Sequence, residues 1–231
     1  VAVSVAYIFA GGRMGIGALQ MWKAGMLKRE LPRYEYQKHR WKTAGKTNVT
    51  LIMQVEVILQ GLANASFLAM PALIIATNSS GSISFLEVLG LSIWLSAFVL
   101  ESIADSQKLA FLKAMKKEGK RKQVCNIGLW KYSRHPNYFA EWMVWNGVLI
   151  AAIPSLLAID PLSINLLGNN FNDGLWLTAA CLVYASWAMY KTLVYTTGAV
   201  PSEYYSVQKR PGYKEYQQQT NRFFPGPRKL N

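Results

Sequence analysis

The sequence predicts an all-α, multi-pass transmembrane helical bundle of about five spans. Three observations predict it. The chain is 52% hydrophobic and only 16% charged, whereas a soluble domain usually carries about 25% charged residues. The apolar residues fall into long blocks with the charges between them. The basic loops alternate with loops that have no basic residue.

The first block, 1–12, reads as the end of an apolar helix whose beginning is expected upstream of Val1. It lacks the basic start and cleavage site of a signal peptide. Residues 13–47 carry nine Lys/Arg and form the first basic loop. The blocks 50–77 and 85–104 follow, joined by 78–84, which carries no Lys or Arg. The second basic loop, 113–137, carries eight. The blocks 138–158 and 174–200 flank 159–173, which again carries none, and the tail 201–231 carries six. Each long block approaches or exceeds the roughly 20 residues a helix needs to cross the hydrocarbon core. The roughly ten-residue alternation of a membrane barrel is missing. Trp94, Trp142, Trp145, Trp176 and Trp187 lie near or within spans, as interface anchors or packing residues.

Strict alternation of basic and non-basic loops sets the orientation: 13–47, 113–137 and the C-terminus share the cytosolic or matrix side. Neither endoplasmic reticulum nor mitochondrial inner membrane is singled out by this pattern. The sequon Asn78-Ser79-Ser80 falls in a non-basic loop and Asn48-Val49-Thr50 on the basic side. The net charge of +13 points to membrane lipid headgroups or phosphates, and no nucleic acid partner is expected of loops pinned to a bilayer. Cys125 and Cys181 are the only cysteines and give neither metal-ligand spacing nor a disulfide framework. No metal site is expected. With no repeat and no low-complexity linker, 1–231 reads as a single domain.

Charged groups inside apolar spans cost at least a few kcal/mol each, about 2.5–3.5 on insertion scales, and so need a reason. Glu56, Glu101, Glu141 and Lys191 are such residues. Glu101, Asp105 and Lys108 share one helical face. That face either holds sugar hydroxyls and phosphate or forms an ion-pair ladder closing the bundle. The densest constellation is Gly128-Leu-Trp-Lys-Tyr-Ser-Arg-His-Pro-Asn-Tyr-Phe-Ala-Glu141. Pro136 suits a helix start, a helix N-terminus favours anions, and Arg134 offers a bidentate phosphate fork. His135 can donate to phosphate or ribose, and Glu141 lies one turn beyond Asn137 and Tyr138. A third cluster runs from Glu203 through Lys209, Arg210, Tyr213 and Tyr216 to Phe223 and Phe224. It returns basic groups to the same membrane face, with tyrosines that either stack on a base or plug the tail into the headgroup zone.

The motifs Glu-Ser-Ile-Ala-Asp-Ser-Gln-Lys at 101–108, Gly-Leu-Trp-Lys-Tyr-Ser-Arg-His-Pro-Asn-Tyr-Phe at 128–139 and Arg-Pro-Gly-Tyr-Lys-Glu-Tyr at 210–216 resemble, in order and spacing, the DUF1295 branch of the steroid 5-alpha-reductase-like membrane proteins. The resemblance runs from about Arg13 to the C-terminus. Isoprenylcysteine carboxyl methyltransferases carry a related Arg-His-Pro motif. The resemblance implies a bundle whose basic-side half encloses NADPH, with Glu101 (asparagine in the reductases), Asp105, Arg134, His135, Asn137, Tyr138 and Glu141 facing the cofactor. Lys108, Lys209 and Arg210 join them, and Tyr213 closes over. It implies hydride transfer to the carbon–carbon double bond of a lipid or steroid-like enone, whose carbonyl a tyrosine and a glutamate polarise.

The chain departs from that pattern in its acid pair. The glutamate's position precedes Val1, the tyrosine's falls on Ala10 with Tyr7 one turn away, and Ala140 replaces a glycine. The catalytic residues are therefore left unassigned. Two readings follow: an NADPH-dependent membrane reductase, or a non-catalytic relative serving as a structural subunit of a larger membrane complex. A methyltransferase using S-adenosylmethionine is disfavoured by the Glu101/Asp105 ladder and by Ala140. One polar cleft on the basic side is expected to bring the face of Glu101, Asp105 and Lys108 against Asn137 and Glu141.

Overall fold

The computed structural model describes residues 1–23, 25, 28, 30–78, 82–120, 122–159 and 173–229. Its helices are α1 (Ala2–Lys23), α2 (Pro32–Thr43), α3 (Val49–Thr77), α4 (Phe85–Lys117), α5 (Pro136–Leu157), α6 (Asp173–Lys191), α7 (Ala199–Lys209) and α8 (Tyr213–Gln219). There is no strand among the described residues. Five helical stretches are long and apolar enough to cross a membrane: α1, α3, α4, α5 and the run Gly174–Lys209. The chain is an all-α, multi-pass membrane bundle. Of the sequon read at Asn78, Ser79 and Ser80 lie outside the described residues, as does most of the loop 159–173.

The bundle is organised around α4 and α5. Lipid gives no hydrophobic drive to helix association, so close backbone approach matters. Gly90 and Gly147 supply it. A Cβ on Gly147 would lie 2.7 Å from both the Gly90 carbonyl and the Trp94 nitrogen. Beside this crossing Trp94, Ala97, Val144 and Val148 pack with Ala6 of α1. On the other side Ala152 and Leu156 pack with Ile74 of α3 and Leu182 of α6.

Helix starts follow local chemistry. Ser84 and Glu87 form a reciprocal capping box, with Ser84 N donating to Glu87 Oε2 at 2.7 Å and Glu87 N to Ser84 Oγ at 3.2 Å. Asn48 Oδ1 accepts from Leu51 N at 3.3 Å and caps α3. Pro136 opens α5. The 33 residues of α4 make a rod of roughly 50 Å at about 1.5 Å per residue, against a hydrocarbon core of about 30 Å. Its last turns therefore stand clear of the core on the basic side.

Two elements differ from the sequence reading. The first span does not stop near residue 12: α1 runs on to Lys23 and carries Arg13 within it. An arginine is tolerable there because Glu101 and Asp105 of α4 meet it in ion pairs. The last block is not one uninterrupted α-helix. After Lys191 it widens into a π turn, Thr192–Thr196, and restarts as α7. Gly198 permits the break, since a Cβ there would fall 1.8 Å from the Leu193 carbonyl oxygen. After the break α7 packs against α2.

Candidate functional site

Between α4 and α5 a short 3-10 turn, Gly128–Lys131, docks the Arg-His-Pro loop onto α4. Trp130 Nε1 donates to the Ala104 carbonyl at 2.9 Å, and Gln107 Oε1 accepts from Leu129 N at 2.9 Å. The tail wraps this loop from outside. Arg134 N donates to the Asn221 carbonyl at 2.8 Å, Ser133 Oγ to the Phe223 carbonyl at 2.9 Å, and Tyr216 Oη to the Trp130 carbonyl at 2.5 Å. Burial pushes the Tyr216 phenol well above its usual range, so it stays a neutral donor. Tyr216 is thus the plug between tail and loop.

Arg134 belongs to that scaffold, which corrects the sequence reading. Its fork is bidentate, but on Glu203: Nε to Oε1 at 2.7 Å and Nη2 to Oε2 at 3.1 Å. Nη1 donates to the Gln217 and Thr220 carbonyls at 2.8 and 2.5 Å. Both partners are buried, at 6% and 4% exposure. A guanidinium so occupied presents no fork to a phosphate. Glu203, which the sequence reading named as the start of the third cluster without a role, is the hub. It also takes Gln217 Nε2 at 2.9 Å and His135 Nε2 at 3.1 Å, with Arg222 Nε at 3.5 Å. Burial lowers the His135 pKa, with the Glu203 hydrogen bond opposing. The neutral imidazole must donate from Nε2, because the carboxylate can only accept. His135 stacks on Tyr138, ring centroids 5.2 Å apart.

Inside this frame lie two cavities. The first, about 540 Å³, is a chamber under α7 and α8. Asp105, Lys108, His135, Asn137, Tyr138, Lys209, Arg210 and Tyr213 all line it, together with Lys122, Trp130, Tyr205 and two serines. Eight of the eleven sequence-proposed positions thus share one wall. Lys108 rests over the Trp130 ring at 3.8 Å and Lys209 over Tyr205 at 5.3 Å, while Arg210 Nη1 donates to Ser206 Oγ at 3.0 Å. Four cations face one carboxylate here. Burial lifts the Tyr213 phenol to about 12, so it too stays protonated.

The second cavity, about 730 Å³, opens between α1, α4 and α5. Its lining is partly apolar (Ile8, Phe9, Met14, Ile16, Phe98) and partly polar (Arg13, Gln20, Glu101, Ser102, Asp105, Ser106, Asn137, Glu141). Arg13 pairs with both Glu101 and Asp105. Of the two readings of the α4 face, the ion pairs go to Glu101 and Asp105, with their cation coming from α1 and not from Lys108. Asp105 and Asn137 belong to both cavities and form the wall between them, with Asn137 Nδ2 donating to Asp105 Oδ1 at 3.1 Å. That bond fixes the amide's orientation. Asn137 Oδ1 is buried with no hydrogen-bond partner among the described residues.

The other two intramembrane charges lie elsewhere. Lys191 sits over Tyr195 at 4.7 Å, and Glu56 faces Arg33 and Tyr34 of α2 in a small crevice. No group of His, Cys, Asp and Glu able to hold a metal occurs among the described residues.

No curated protein and no solved structure matches the chain. One family does: the model described as "Protein of unknown function (DUF1295)" matches residues 16–220. That match takes in α2 to α8, the Arg-His-Pro loop and the whole wall of the basic chamber, and on it the chain belongs to the DUF1295 family.

Proposed function

We propose that the protein is an NADPH-dependent membrane reductase acting on a carbon–carbon double bond of a lipid or steroid-like enone. The observation that carries the reading is the meeting of a basic chamber and a partly apolar cleft at one shared wall, Asp105–Asn137. The resemblance of the three motifs to the reductases supports it.

The chamber's residues fit a phosphorylated dinucleotide. Its volume lies within the roughly 300–1,000 Å³ of small-molecule sites. Lys108, Lys122, Lys209 and Arg210 are the phosphate-neutralising groups. Trp130, Tyr138 and Tyr213 offer aromatic faces, and the unpartnered Asn137 Oδ1 awaits an N–H or O–H donor. Bound there, NADPH supplies a hydride. The chain's own part is to hold the phosphates at the basic end and to exclude water with α7 and α8. In the cleft, Arg13 is paired with Glu101 and Asp105, and a substrate oxygen would meet it only by displacing one of them. Glu141 lines the same cleft and forms no ion pair with Arg13.

The same reading places the basic loops and the C-terminus on the cytosolic or matrix side, in the endoplasmic reticulum or the mitochondrial inner membrane. The structural-subunit reading draws support from Ala10, which stands in the tyrosine's place and is buried, and from Arg13, which already ties Glu101 and Asp105.

Titration of the purified protein with NADPH, followed by quenching of Trp130 fluorescence, separates the two. Saturable quenching that Lys108→Ala and Arg210→Ala both weaken is expected of the reductase. No binding at millimolar NADPH gives the structural reading the lead.

A further inference from the structure

We infer that the groove between α5 and α6 holds one acyl chain of an anionic phospholipid, with the phosphate head against Lys191 and Arg222. The inference goes beyond the chamber and the cleft and does not depend on dinucleotide binding.

The groove has a volume of about 700 Å³. Leu149, Ile153 and Leu157 of α5 face Ala179, Val183 and Trp187 of α6 across it, and none of the described residues that line it is charged. Its polar groups answer one another. Ser186 Oγ donates to Asn146 Oδ1 at 2.7 Å, Asn146 Nδ2 to the Trp142 carbonyl at 2.7 Å, and Trp142 Nε1 to the Ser186 carbonyl at 3.0 Å. With these groups turned on each other, the middle of the groove suits plain hydrocarbon. Trp142 and Leu157 both belong to its wall. Between them it follows α5 for about 22 Å at 1.5 Å per residue. That exceeds the depth of one leaflet of a hydrocarbon core about 30 Å thick.

One end of the groove is chemically marked. Tyr190 meets Phe224 and Phe223 there, ring centroids 6.0 and 5.2 Å apart, with Trp142 beside them. Trp and Tyr gather at the level of the headgroups. Two cations stand at the same end. Lys191 closes α6. Its amine lies over the Tyr195 and Trp187 rings at 4.7 and 5.7 Å, and it forms no ion pair with any described residue. Arg222 lies within electrostatic reach of Tyr190. Its Nε approaches Glu203 Oε2 only to 3.5 Å, and its side chain is 42% exposed. Arg134 already forks that carboxylate, so one negative charge serves two guanidiniums.

An uncharged groove thus ends in two cations short of counter-charge. A phosphodiester head with no amine of its own supplies that charge, as in basic pockets between membrane helices. A zwitterionic head brings its own cation, and a sterol brings no charge.

The test uses the full chain reconstituted in phosphatidylcholine vesicles. Each sample contains a trace of one photoreactive diazirine probe: an acyl-labelled phosphatidylglycerol, an acyl-labelled phosphatidylcholine or a sterol. Labelled peptides are mapped by mass spectrometry. The glycerol probe is expected to label 149–157 and 179–187 about tenfold more than the choline probe, equivalent to about 1.4 kcal/mol. Both should label the lipid-facing stretch 51–59 of α3 alike. Lys191→Gln with Arg222→Gln is expected to bring the glycerol probe down to the choline probe's level in the groove, leaving the choline probe unchanged.

Equal groove labelling by the two phospholipid probes overturns the inference. So does a glycerol preference as large on α3 as in the groove, which would reflect the net charge of +13 acting on all surrounding lipid. Groove labelling dominated by the sterol overturns it as well. The wild-type ranking decides the matter even where the double variant does not fold.

Discussion

Removing the Arg134 side chain tests whether the Arg-His-Pro loop is scaffold or cofactor contact. Arg134→Ala deletes two charged hydrogen bonds to Glu203 and two to the tail carbonyls of Gln217 and Thr220. It leaves Glu203, 4% exposed, with neutral His135, Gln217 and a distant Arg222 at 3.5 Å. Breaking a buried pair by removing one partner typically costs about 3–5 kcal/mol. In a chain of this size that is a fall in Tm on the order of 10 °C. The tail, held by the same guanidinium, should become the first site of limited proteolysis. Thermal unfolding in detergent reads the first effect and peptide mapping the second. Replacing both partners, Arg134→Met with Glu203→Met, should recover most of the loss, because no uncompensated charge remains. The reasoning is refuted if Arg134→Ala keeps its Tm and tail protection yet loses NADPH binding. The guanidinium would then be contacting phosphate, as the sequence motif implied.

Lys108→Ala should weaken NADPH binding by about 1.5–3 kcal/mol and flatten its salt dependence, measured by fluorescence titration; an unchanged affinity would remove Lys108 from the chamber's anion set. Gly147→Leu should cost at least about 1–3 kcal/mol by overpacking, because its Cβ meets backbone of α4 at 2.7 Å; a fully stable variant by thermal unfolding would contradict the α4–α5 crossing. The His135 pKa is lowered from the ordinary 6.5, chiefly by burial. Its contribution to stability is therefore complete above the unfolded value and is lost as pH falls from about 6.5 toward the depressed folded one. Tm should drop between pH 7.5 and 5.5 in wild type, and drop less in His135→Gln; parallel curves would show that His135 is not held neutral.

The spans were legible because hydropathy blocks and basic loops are properties of the chain alone. The wall of the chamber was legible for a related reason. Asp105 and Lys108 lie on one stripe of α4, and Asn137 and Tyr138 open α5. Polar stripes at the same end of adjacent membrane helices have nowhere to go but toward each other. Arg134 was misassigned because a guanidinium before a helix start looks the same whether its partner is phosphate or carboxylate. Its partner lies 69 residues away on α7, beyond any local pattern. The role of Glu203 was hidden for the same reason. Arg13 was assigned to a loop because the first block was ended at residue 12. The apolar run Met14, Ile16, Leu19, Met21 and Trp22 was the available signal that the helix continues.

Arg13 also ties into the wall that the two cavities share. An arginine within an apolar helix without partners costs about 2.5–3.5 kcal/mol on insertion scales, so α1 is held to α4 by the pairs with Glu101 and Asp105. Asp105 is at the same time the acceptor that orients Asn137 and the one carboxylate on the chamber's wall. A phosphate drawn against Lys108, one turn along α4, therefore acts on the carboxylate that anchors α1. A unit charge about 4 Å away at an effective dielectric of 20 is worth about 4 kcal/mol before solvent relaxation, comparable to the cost of freeing Arg13. An anion in the chamber strengthens Asp105's need for Arg13 and tightens α1 against the bundle. Both cavities thus meet at a single carboxylate, Asp105.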